Sequence, residues 1–133
     1  MKKLLFILTF ACGLMTLQAQ NANLKKSIED GIKTSIQQTE NREWKEAFAT
    51  CRELDGMIAV EEQKSKKPAP ELHYLVSKER LRMYMRLNNA EQSKLQIEKL
   101  EEYAERAKQE EVSEDLLMTK AGYYQKFGMN DKS

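Results

Sequence analysis

The chain has 133 residues, of which 41% are hydrophobic and 32% are charged, and its formal net charge is +1. This length suffices for one small domain, and the near-zero charge excludes a strong non-specific attraction to nucleic acid or anionic lipid. With one histidine, two cysteines and five glycines, the sequence offers no His/Cys metal cage, no histidine-activated nucleophile and no glycine-rich phosphate loop. We therefore expect a protein that is not an enzyme and that uses no cofactor and no metal.

Residues 1–19 have the pattern of a secretory signal peptide. Two lysines precede a mostly apolar run over residues 4–17, and small Ala19 stands at a plausible cleavage position. This run is shorter than the roughly 20 residues that cross a hydrocarbon core, so we prefer a cleaved signal to a retained membrane anchor. We also prefer it to lipid attachment at Cys12, because the residues before Cys12 are not those that usually precede a lipidated cysteine. The sequence thus predicts export to the periplasm or cell envelope.

Residues 20–133 show apolar positions at spacings of three and four without sustained alternation, which predicts an all-α fold of about five helices. The first helix has an apolar stripe about 120° wide, enough for one neighbouring helix. This stripe consists of Leu24, Ile28, Ile32 and Ile36. The second helix starts near Glu43 and ends before a loop with two prolines. Its apolar face consists of Trp44, Ala47, Phe48, Cys51, Leu54 and Ile58.

The third helix, over residues 70–87, has two apolar arcs, so we expect it to lie between other helices. One arc consists of Leu72, Leu75, Val76, Met83 and Leu87, and the other of Tyr74, Leu81, Tyr84 and Met85. A fourth helix over residues 90–109 turns an acidic face outward. Ser113 has the pattern of an N-cap of a fifth helix that ends near Gly128. The predicted hairpins span residues 23–64, 70–109 and 113–133, the last one incomplete.

Parts of the chain are similar to each other at fixed offsets. Residues 78–93 align with residues 118–133 at an offset of forty, and residues 44–47 align with residues 90–93 at an offset of forty-six. Each aligned segment contains the end of a helix, a tight turn or the start of the next helix. Such internal similarity is typical of helical repeat proteins.

These segments resemble the tetratricopeptide repeat, a helix pair with an aromatic residue late in the first helix, Gly or Asn at the turn and a small residue early in the second. The matching positions are Tyr84, Asn88, Ala90 and Ser93, then Tyr124, Gly128 and Ser133, and finally Trp44 and Ala47. The resemblance covers about residues 23–133. It implies a solenoid of antiparallel helix pairs that binds a protein or an extended peptide on the face formed by the first helices.

The resemblance also implies which side chains a partner would meet. On the third helix these are Lys78, Arg82, Met85 and Arg86, and on the fifth helix they are Gln125 and Lys126. An acidic peptide or a terminal carboxylate would suit them. The charge pattern has a second interpretation, in which the basic third helix pairs with the acidic fourth helix and its cations are neutralised there.

The fifth helix has a broad apolar face that includes three aromatic residues, Tyr123, Tyr124 and Phe127. Three explanations stay open for it. The chain is the front of a longer protein, or this face docks on another protein such as a second copy, or the aromatic residues fold back onto the fourth helix. Exposed aromatic residues would be good interface anchors.

Two further residues have simple interpretations. His73 has no second ligand at metal spacing, so we expect a packed or surface side chain, and Cys51 on an apolar face is expected to be an inert thiol. The function that fits best is an exported, non-enzymatic scaffold that binds a protein or peptide and binds no nucleic acid. The alternative is the N-terminal input module of a longer membrane-bound signalling protein.

Overall fold

The computed structural model describes residues 16–128, which form five α-helices and contain no β-strand. The helices are α1 (Thr16–Glu40), α2 (Trp44–Ser65), α3 (Pro70–Arg86), α4 (Ala90–Ala107) and α5 (Glu110–Phe127). The prediction of an all-α fold is confirmed. The predicted signal peptide lies largely outside the described residues. Within residues 16–128, no helix is long and apolar enough to cross a membrane.

The third helix is the centre of the packing. α1 packs against α2, and α3 packs against α4, while α3 also contacts both α1 and α2. α5 packs against α4 and touches α3. Two apolar cores result, one shared by α1, α2 and α3 and the other by α3, α4 and α5.

The two apolar arcs predicted for α3 face these two cores. The first core receives Leu72, Val76 and Met83, and the second receives Tyr74 and Leu81. Two members of the arcs lie elsewhere. The ring of Tyr84 is centred 5.0 Å from that of Phe48 on α2, and Leu87, just past the end of the helix, is 43% exposed.

The prediction that α1 needs one neighbour is wrong, because α1 contacts α2 and α3. Each step of four along its apolar stripe turns by about 40°, so the stripe rotates away from α2. Ile28 is fully buried, but Ile32 and Ile36 are only half-buried. The buried positions farther along α1 are Ser35 and Thr39 instead.

The α1–α2 and α3–α4 connections have the same hydrogen bonds at the forty-six-residue offset. In the first turn the Glu43 N–H donates to the Gln38 carbonyl at 2.8 Å, and in the second the Asn89 N–H donates to the Tyr84 carbonyl at 2.9 Å. Each turn has a left-handed residue at the equivalent place, Arg42 with φ 62° and Asn88 with φ 57°. The second turn adds a cap, since the Asn89 side chain accepts from the Gln92 N–H.

The buried faces of α2 and α4 also coincide at this offset. Every buried residue of α2 has a buried counterpart on α4. The pairs are Ala47 and Ser93, Cys51 and Ile97, Leu54 and Leu100, and Ile58 and Ala104. The two helices therefore present equivalent faces to their neighbours.

α5 begins at Glu110, four residues before the start that an N-cap at Ser113 predicts. Lys108 turns left-handed with φ 52° to end α4, and Gln109 takes the N-cap position without a side-chain hydrogen bond. Ser113 lies within the helix, where its N–H donates to the Gln109 carbonyl. The predicted end is confirmed, since Gly128 is the left-handed C-cap.

Candidate protein-binding groove

A groove of about 570 Å³ lies between α1 and α3. Its apolar lining consists of Ile32 and Ile36 from α1 and Leu75 from α3. The polar lining consists of Glu29, Lys33, Lys78, Glu79 and Arg82. The rotation of the α1 stripe explains this groove, because it leaves two isoleucines only half covered beside α3.

An ion pair between the partly exposed Arg82 and a buried carboxylate lies along one wall of the groove. The Nε and Nη2 atoms of Arg82 donate to the two carboxylate oxygens of Glu79 at 2.8 and 2.7 Å. The Glu79 side chain is only 3% exposed. It also accepts a hydrogen bond from the Ser35 hydroxyl at 2.8 Å, and Arg82 Nη2 donates to Thr39 Oγ1 at 2.9 Å. A buried carboxylate needs such partners, and here they connect α1 to α3.

This hydrogen bonding fixes the orientation of Arg82. Bonding to Glu79 raises the pKa of Arg82 against the opposing effect of burial. The guanidinium is held in one orientation by a bidentate contact, and the Glu79 carboxylate balances its charge.

The thiol of Cys51 lies near the same cluster and is fully buried. Burial raises the pKa of Cys51 to about 11, although Arg80 and the Ser35 hydroxyl act in the opposite direction. The residue is therefore a neutral thiol at physiological pH, and the reactive thiolate form is disfavoured.

On its other side the groove leads towards α5. Lys78 Nζ donates to Asp115 Oδ1 at 2.7 Å, and the Tyr74 hydroxyl donates to Asp115 Oδ2 at 2.7 Å. Burial alone would raise the pKa of Asp115, but the bonds from Lys78 and Tyr74 outweigh it and lower that pKa. Asp115 is therefore a carboxylate that connects α5 to α3, and Lys78 keeps donors for a further acceptor.

Two of the four α3 residues predicted for the partner-binding face line the groove, namely Lys78 and Arg82. Met85 packs against the second core. The Arg86 guanidinium carbon lies 5.8 Å from the centre of the Trp44 ring. The second interpretation predicted that α4 neutralises these cations. Lys78 instead pairs with Asp115 of α5, and Arg82 pairs with Glu79 of α3 itself.

The aromatic residues of α5 turn inward. Tyr123 is 2% exposed, and its ring centre lies 5.3 Å from Tyr124 and 5.4 Å from Phe127, both partly buried against the second core. The exposed apolar residues of α5 are Leu117 and Met118. Helical periodicity accounts for Tyr123 and Phe127, which share one face with positions 116 and 120, whereas positions 117, 118 and 121 lie on another.

The single histidine is part of a contact between α2 and α3. His73 Nε2 lies 3.0 Å from Glu62 Oε1, and its ring stacks on Tyr103 with centres 5.2 Å apart. Glu62 also accepts from the Ala69 N–H at 2.7 Å, so it holds the α2–α3 loop. Among the described residues, no cluster of three His, Cys, Asp or Glu side chains could hold a metal ion.

Sequence reasoning missed part of the groove. Leu75 and Ile36 were assigned to apolar faces, and nothing in the pattern indicated that both would border an open groove. Ser35 and Thr39 gave a weak signal, because they follow Ile28 by seven and eleven residues and so share its helical face.

Comparison with known proteins gives no match for this chain. No family model, no curated protein and no solved structure matches it.

Proposed function

We propose that the protein is a non-enzymatic helical scaffold that is exported to the cell envelope and binds an acidic segment of another protein or peptide between α1 and α3. The observation that carries the proposal is the groove itself. It combines an apolar lining, Ile32, Ile36 and Leu75, with the exposed cation Lys33 and with Lys78 and Arg82, which are paired with Asp115 and Glu79.

The chemistry of the groove sets the class of partner. Aliphatic side chains of the partner would contact the isoleucines, and its carboxylates would meet the cations. Arg82 is already oriented by Glu79, so binding costs little side-chain entropy at this position. Lys33 is exposed and lies on the groove, which makes it the most accessible of these cations.

The repeat-like packing supports a scaffold of the tetratricopeptide kind. α3 meets α2 through an ion pair between Arg80 and Asp55, and α5 meets α4 through Lys120 and Glu101. The two ion pairs occupy related positions in the sequence. Lys120 follows Arg80 by forty residues, and Glu101 follows Asp55 by forty-six, which are the two offsets of the internal similarity. The equivalent turns after α1 and α3 and the equivalent buried faces of α2 and α4 also support a repeat.

Fluorescence anisotropy with labelled peptides tests the binding proposal. We expect a peptide of alternating leucine and glutamate to bind, and a leucine–lysine peptide of equal length to bind at least tenfold more weakly. The variants Lys33→Glu and Ile36→Glu should each weaken the acidic peptide about tenfold, which corresponds to about 1.4 kcal/mol. Lys94→Glu on the exposed surface of α4 is the matched control and should bind normally.

Either of two outcomes would contradict the proposal. One is equal binding of the acidic and basic peptides, and the other is normal binding by both groove variants. Raising the salt concentration should also weaken binding, because part of the attraction is between exposed charges.

The export component has a separate test. We expect the protein recovered from the periplasmic fraction of a bacterial host to begin at Gln20, as shown by N-terminal sequencing or intact mass. Recovery of the uncleaved chain in the cytoplasm would contradict export and leave the groove proposal standing.

A further inference from the structure

The outer face of α5 is an apolar stripe on which no other described helix packs. Leu117 is 70% exposed and Met118 is 76% exposed, and the next turn of the same face holds the exposed small residues Ala121 and Gly122. A Cβ atom at Gly122 would meet no atom within 4 Å. Two helices can approach closely where the large side chains of one pack against small residues, and so against the accessible backbone, of the other.

These four residues are arranged so that the stripe complements itself. A twofold axis perpendicular to α5 beside the centre of the stripe would place Leu117 against Ala121 of a second copy, and Met118 against Ala121 and Gly122 of that copy. Each large side chain would then meet a small residue. The two helices would run antiparallel, and each of these contacts would form twice.

Charge favours the same orientation. The first turn of α5 contains Glu110 and Glu111, and its last turn contains Lys126. Antiparallel pairing brings the acidic start of each helix near the basic end of the other, and it also opposes the helix dipoles favourably. Parallel pairing would place the acidic turns together.

We propose that α5 pairs with α5 of a second copy through the stripe formed by Leu117, Met118, Ala121 and Gly122, giving a symmetric antiparallel dimer. One helix pair buries less than the roughly 1,200 Å² of a standard interface, so we expect a dissociation constant on the order of 100 μM to 1 mM. The contact is independent of the groove, which lies between α1 and α3.

Sedimentation equilibrium of the full chain, from about 10 μM to about 2 mM, tests this pairing. The unaltered protein should pass from monomer to dimer, and Leu117→Glu should weaken the dimer at least tenfold. Val60→Glu on α2 is the matched control, because Val60 is also an exposed aliphatic residue, and it should change the dissociation constant less than twofold. Circular dichroism should show that both variants remain helical. A protein that is monomeric throughout, or one whose dimer is unaffected by Leu117→Glu, would overturn the proposal.

A charge exchange at one position tests the register. The twofold axis places Gln125 against Glu114 of the second copy, and both residues are exposed. Gln125→Lys should therefore tighten the dimer about threefold to tenfold, and Gln125→Glu should weaken it by a similar factor. The same two substitutions at exposed Gln63 on α2 are the controls. If the stripe instead takes a different protein or a further helix, self-association will not distinguish the two Gln125 variants, and the proposal fails.

Discussion

At the scale of single residues, the fold depends on buried polar groups that satisfy one another. Glu79 and Ser35 come from different helices and lie almost fully out of contact with water. Ser35 follows Ile28 by seven residues and so shares its helical face, but this spacing could not identify Glu79 as the acceptor of its hydroxyl. That pairing depends on how α1 and α3 meet, which a one-dimensional pattern does not contain.

The Arg82–Glu79 pair yields a stability prediction. Arg82→Leu would leave the Glu79 carboxylate buried without its main cation, so we expect a loss of about 2–3 kcal/mol in the free energy of unfolding. The double variant Glu79→Gln with Arg82→Leu removes the charge and should recover about half of that loss. Urea denaturation measures both values.

Arg52→Leu on the exposed face of α2 is the matched control for this pair, with an expected change within about 0.5 kcal/mol. An Arg82→Leu variant as stable as this control would show that the ion pair contributes nothing to the fold.

The carboxylate of Glu62 makes stability depend on pH. Burial alone would raise the pKa of Glu62, but the hydrogen bond from Ala69 and the contact with His73 outweigh it and hold the pKa below 4.5. Since the folded pKa is depressed, the stabilisation is complete above the unfolded pKa and is lost as the pH falls through the folded pKa.

We therefore expect Glu62→Gln to reduce the free energy of unfolding at pH 7 and to have little effect well below the folded pKa. Urea titrations at neutral and strongly acidic pH measure this difference, with Glu53→Gln at an exposed site as the control. An equal effect of Glu62→Gln at both pH values would argue against the proposed ionic role.

At the scale of helices, the bounds were largely predictable because prolines, asparagines and the final glycine mark most of the ends. The start of α5 was not predictable. Neither Lys108 nor Gln109 is a preferred residue for the conformation it adopts, so the chain gives no local signal there. Ser113 gave a stronger signal, but it lies one turn inside the helix.

The left-handed residue at the end of α4 gives a second stability prediction. Lys108 has φ 52° and a Cβ atom that this conformation disfavours. Lys108→Gly should therefore raise the free energy of unfolding by about 1 kcal/mol. Lys99→Gly, on an exposed position within α4, should lower it by about as much. Thermal unfolding measures both, and equal losses in the two variants would contradict the prediction.

At the scale of the whole molecule, the fold class and the two-sided packing of α3 followed from apolar spacing. The groove did not follow from it. Its lining arises because the apolar stripe of α1 shifts gradually around the helix from one turn to the next and so turns away from α2. The size of the opening depends on the angle at which α1 and α3 cross. The same spacing showed α5 to be apolar on several sides without showing which side would be covered.

The central position of α3 predicts an order of local opening. α3 contributes to both apolar cores, while α5 has one fully buried residue, Tyr123. We expect amide hydrogens of α5 to exchange at least tenfold faster than those of α3, as measured by hydrogen–deuterium exchange. Exchange at equal rates would instead indicate a single cooperative unit. Exchange should be measured well below the proposed dimer dissociation constant, because pairing through α5 would protect this helix.

The matching turns after α1 and α3 have a practical consequence for engineering. Because both hairpins close through the same backbone geometry, we expect residues 41–43 and residues 87–89 to be interchangeable without loss of either helix pair.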